Sequence, residues 1–113
     1  MRNEFGHIFE NIKQEPLKKE EIESIIHTID RDYIQFGLKD FVSKRAKSIL
    51  NNESLSLEEK RQKGQEIRQE AWKKLYEQYS GKLYNKDLQD AARKKLEDMF
   101  SSNFDLYYLE NKN

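Results

Sequence analysis

Apolar positions recur at helical spacing along nearly the whole chain. Phe5, Ile8, Phe9 and Ile12 stand at i, i+3, i+4 and i+7, predicting a short helix over 4–13. Pro16 ends it, because its ring disfavours helix at the preceding residue, and it is suited to open the next one. Ile22, Ile25, Ile26, Ile29, Tyr33 and Phe36 fall within about 80° of one another on a helical projection, predicting a helix over 17–35. The pattern then changes phase. Leu38, Phe41, Val42, Arg45 and Ile49 keep the helical spacing, but an unbroken α-helix would swing the apolar face by roughly 150°. Gly37 sits at the jump. A break there, with a separate helix over 38–50 turning back, is the simpler expectation. The alternative is one long helix that feeds two cores, for example across a dimer.

Asn51, Asn52, Glu53 and Ser54 are loop residues. Ser56 and Glu59 then match a capping box, in which hydroxyl and carboxylate satisfy free amides at a helix start. The helix it opens is predicted over 57–80, with the stripe Leu57, Gly64, Ile67, Ala71, Leu75 and Tyr79, and with Gly81 as its stop. Asn85 or Asp87 caps a further helix over 86–101, whose core face is Leu88, Ala91, Ala92, Leu96 and Met99. The segment 104–109 is apolar, and its periodicity does not separate a helical turn from a short strand. Residues 110–113 are expected to fray. Together these elements predict an all-α fold: one domain over 1–113, a small bundle of four to five amphipathic helices with a short apolar C-terminal segment.

Composition narrows the function. Charged residues are 37% of the chain, so apolar side chains are confined to narrow stripes. Lys+Arg and Asp+Glu are equal at 21 each, which argues against a generic nucleic-acid binder. There is no cysteine, which removes disulfides, thiolate metal sites and cysteine nucleophiles and fits a reducing compartment. Met1–His7 leads into no apolar h-region, so no signal peptide is expected. No stretch approaches the roughly 20 apolar residues of a membrane helix. The expected location is cytoplasmic. An abundance of Lys, Glu, Asn, Ile and Tyr fits AT-rich codons and so a low-GC bacterial or phage origin.

No motif for chemistry is present. Glu23, His27 and Asp30 share one helix face, yet a di-metal bundle needs Glu-x-x-His pairs on two helices. No nucleophile stands beside a base, and no phosphate loop is found. The expectation is a non-enzymatic chain with no cofactor and no metal.

Two surfaces carry binding expectations. On the helix over 57–80, Trp72, Tyr76 and Tyr79 widen the apolar arc to about 180°, more than one core contact requires, and Arg68 lies inside it. Trp, Tyr and Arg are enriched at interface hot spots. Arg68, Trp72, Tyr76 and Tyr79, with Tyr107 and Tyr108 near the C-terminus, are therefore the candidate protein-binding residues. Burial of the same arc by neighbouring helices is the structural alternative. The predicted function is a small module that modulates or inhibits a larger protein, phage- or mobile-element-encoded. The second surface is basic: residues 39–74 hold ten Lys/Arg against six acids, and Lys44, Arg45, Lys47, Lys60, Arg61 and Lys63 would form a phosphate-contacting strip in a DNA- or RNA-binding regulator. A homo-oligomeric structural or adaptor protein is the third expectation, from the phase change at Gly37.

Overall fold

The computed structural model describes residues 17–111, and the helix expected over 4–13 lies outside them. The described elements are α1 (Lys19–Ile29), a π-helical segment (Asp30–Leu38), α2 (Lys39–Leu50), α3 (Leu57–Gln78), α4 (Lys86–Ser101) and α5 (Phe104–Asn111), with no strand among them. The all-α bundle is as expected. None of these helices is long and apolar enough to cross a membrane.

The break at Gly37 does not occur. α1, the π segment and α2 run on as one helix about 45 Å long. The backbone of Lys39 donates to Ile34 O, five residues back, as π geometry requires. A π turn holds roughly 4.4 residues instead of 3.6, so each residue rotates the chain by roughly 18° less. Across the nine-residue segment this amounts to roughly 160°, the size of the phase jump read from the sequence. Ile26, Ile29, Ile34, Leu38, Val42, Ala46 and Ile49 consequently all enter a single core. Phe36, assigned to the core stripe by α periodicity, is rotated out and is 68% exposed. The side chain of Gln35 donates to Asp30 Oδ1 at 3.0 Å, an i, i+5 pair that the wider turn brings into reach.

α3 folds back antiparallel to this long helix, and their contacts form a ladder. Lys60 Nζ donates to Leu50 O at 3.0 Å near the loop. Arg45 pairs with Glu70 at 2.9 Å, Lys74 Nζ lies 4.9 Å from the Phe41 ring centroid, and the rings of Tyr33 and Tyr79 meet at 5.6 Å. The capping box forms as expected: Glu59 N donates to Ser56 Oγ at 3.1 Å and Ser56 N to Glu59 Oε1 at 2.9 Å. Leu57, just inside it, is 48% exposed and does not join the stripe below. The helix ends at Gln78, two residues short of the expected boundary, and Gly81, expected as its stop, does not adopt the left-handed backbone.

α4 spans its expected range, capped by Asn85, whose Oδ1 accepts from Leu88 N at 2.9 Å. Its core face is Leu88, Ala92, Leu96 and Met99, with Ala91 half-buried and Phe100 buried in addition. The segment after it is a helix, not a strand. Asn103 is buried, accepts from Leu106 N at 3.1 Å and donates to Ser43 Oγ at 3.0 Å, which starts α5 and ties it to α2. Leu106 and Leu109 then face the core. Glu110 is paired with Arg68, and the helix extends through Asn111.

Gly64 explains the close approach of α5 to α3. A Cβ there would stand 3.0 Å from Glu110 Cγ and 3.6 Å from Leu109 Cδ2. The helix accepts a residue costing about 1 kcal/mol relative to Ala because α5 occupies the space.

Candidate protein-docking groove

The aromatic arc of α3 is divided between the fold and the surface. Arg68 belongs to the fold. Its Nε and Nη2 each donate to Glu110 of α5 at 2.8 Å, and its Nη1 donates to Glu97 of α4 at 3.1 Å. Its guanidinium carbon lies 4.9 Å from the Phe100 ring centroid. The bidentate bond to Glu110 is the main reason that its pKa is raised further above the usual arginine value, against the opposing pull of burial. One side chain thus ties three helices together. Tyr79 also faces inward, half-buried against Tyr33, and burial raises the pKa of both phenols above 10.0.

Trp72 and Tyr76 line the surface. Trp72 is half-buried and Tyr76 is 41% exposed, their rings 6.1 Å apart. Opposite Trp72, Arg93 of α4 lays its guanidinium over the indole, 4.2 Å from the centroid. A groove of about 300 Å³ runs between the two helices, with Trp72, Arg93 and Glu97 on its walls and Leu96 and Phe100 among its lining residues. Arg93 and Phe100 were not predicted. The signal was their spacing: Arg93, Leu96 and Phe100 stand at i, i+3 and i+7, on the edge of the α4 stripe.

Tyr107 and Tyr108 sit apart from this groove, on the outer face of α5. Their rings meet edge to face at 6.0 Å and are 56% and 55% exposed, with Phe104 at 77% beside them in the sequence. The six candidate protein-binding residues therefore separate into Arg68 and Tyr79, engaged within the fold although Arg68 also lines the groove, Trp72 in the groove with Tyr76 beside it, and two on a second aromatic face.

The antiparallel register gathers the basic strip at the loop end of α2 and α3, but much of its charge is spent internally. Lys44 pairs with Asp40 at 3.0 Å, Arg45 with Glu70, and Lys60 with the last turn of α2. Lys47 and Arg61 are exposed, and Lys63 shares a shallow cleft with Arg45. Among the described residues no group of three His, Asp or Glu is placed to hold a metal, and no buried side-chain polar atom lacks a partner.

No protein family, no curated protein and no solved structure matches this chain.

Proposed function

We propose that the chain is a small protein-binding module that modulates or inhibits a larger protein through the groove between α3 and α4. The observation that supports this best is the state of Trp72 and Tyr76. Two large aromatic side chains, well supplied with core on the other side of their helix, remain at the surface beside a groove with charged walls. Aromatic and arginine side chains combine large contact area with a polar handle, the composition of interface hot spots. The exposed face of α5 extends the aromatic surface available to a partner.

The nucleic-acid reading has less support, because Lys44 and Arg45 pair with Asp40 and Glu70 and Lys60 donates to the Leu50 carbonyl. The oligomeric reading loses its motive, since the π segment turns both halves of the long helix onto one core.

The test is affinity capture from the organism's own lysate, comparing the wild-type chain with Tyr76→Ala and with Tyr107→Ala/Tyr108→Ala. Tyr76 is exposed enough that its loss leaves the circular dichroism unchanged. A protein retained by the wild type and lost with Tyr76→Ala supports the groove. Identical capture by all three chains, or by none, refutes it.

A further inference from the structure

The two arginines of the groove are in opposite states. Arg68 has its donors committed to Glu110 and Glu97. Glu97 stands four residues after Arg93 on α4, the usual spacing for an ion pair, but its carboxylate is engaged by Arg68 across the groove. Arg93 makes no ion pair and no hydrogen bond with any described residue; its guanidinium stacks on Trp72. Stacking uses the face of a guanidinium and leaves its in-plane N–H donors directed outward. The groove thus presents a planar, permanently charged donor edge, fixed in place by an indole. Gln65 and Gln69 add amides along the same lining, and the one carboxylate there is already paired.

From this, resting on the reading of the groove as a docking site, we infer that Arg93 is a carboxylate seat and that the segment bound there is acidic. The partner places an Asp or Glu side chain against Arg93, in the bidentate geometry that guanidinium favours, and an apolar side chain beside it against Trp72 and Tyr76. A basic segment would meet Arg93 without compensation and is selected against. Arg68 contributes by drawing Glu97 away, and so positions the groove without touching the partner.

Trp72 is the chain's single tryptophan, so its fluorescence reports this groove directly. The experiment selects peptides from a random displayed library against the wild-type chain, then titrates the enriched peptides against wild type, Arg93→Gln, Arg93→Lys and Tyr76→Ala, following Trp72 emission. Expected are peptides with an acid next to an apolar residue, bound about tenfold more weakly by Arg93→Gln. Arg93→Lys, which keeps the charge but loses the planar edge, should lie between. Neutral or basic peptides that bind equally to Arg93→Gln but lose affinity with Tyr76→Ala would overturn the acidic partner and leave the docking groove standing. Peptides indifferent to both positions, or no enrichment, would remove the groove as well. A mass that rises with concentration in light scattering and reverts in Arg93→Gln would show a second copy in the groove, which also overturns the inference.

Discussion

Arg68 and Gly64 lie one helical turn apart on α3, and both are explained by Glu110. Gly64 gives the α5 side chain room to approach, and Arg68 holds it by two hydrogen bonds. A charged bond of this kind contributes about 1.5–3 kcal/mol when its partner would otherwise be left half-buried and unpaired. Arg68→Leu should therefore lower stability by about 2 kcal/mol in urea denaturation, and a double-mutant cycle with Glu110→Gln should show coupling of about 1 kcal/mol. An unchanged midpoint would mean that Arg68 is free to contact a partner. The glycines give a second contrast. In Gly64→Ala the added methyl meets a side chain that Arg68 prevents from moving, so overpacking outweighs the helix propensity gained, and a net loss of about 1 kcal/mol is expected. Gly81 has nothing within 4 Å of an added Cβ and no positive φ, so Gly81→Ala should be neutral or stabilising by about 0.5 kcal/mol. In thermal melts the midpoint should fall for Gly64→Ala and hold or rise for Gly81→Ala. At this scale the sequence placed Trp72 and Tyr76 on the widened edge of the α3 arc and Gly64 on its core stripe, and the structure keeps both placements. It did not reveal that Arg68 would be spent inside and Arg93 left open, because that depends on which carboxylate reaches which guanidinium across helices.

The long helix carries the principal departure from periodicity. The spacing located the phase change and its size correctly, and Gly37 marked its place. A 100° wheel has only two ways to absorb such a jump, a break or a second core, and π winding is a third that a fixed angle per residue conceals. It follows that the segment behaves as a helix with surplus residues. Deleting exposed Gln35 should let α winding resume and cost far less than deleting exposed Lys47, which would rotate Ile49 and its successors away from the core. Urea midpoints of the two deletions measure this; equal losses would contradict π winding as the device that aligns the halves. The capping box was fully legible, since both partners lie within four residues of sequence. Its hydrogen bonds from Ser56 hold the Glu59 carboxyl below its ordinary value of 4.5. The folded chain thus binds this proton less readily than the unfolded one, so the stability it adds is present above pH 4.5 and is lost as pH falls through the lowered value. Glu59→Gln should remove that part of the acid dependence, seen as a shallower decline of helical circular dichroism below pH 4.5.

At the scale of the molecule, an all-α bundle was readable from amphipathic stripes and short connections, because these are local properties. The division of surface from interior was less so. α3 is covered on one side by the long helix and on another by α4 and α5, and the remaining edge becomes a groove only through the placement of α4 against it. The central claim is that this edge, not the basic loop end and not the α5 face alone, meets another protein. Site-specific photo-crosslinking in living cells tests it most directly, with a photoreactive phenylalanine analogue placed in turn at Tyr76, Tyr108 and Lys47. A discrete protein adduct at Tyr76, weakened by Arg93→Gln, is the result predicted. An adduct confined to Lys47, or Tyr76 without a partner while Tyr108 captures one, would contradict it.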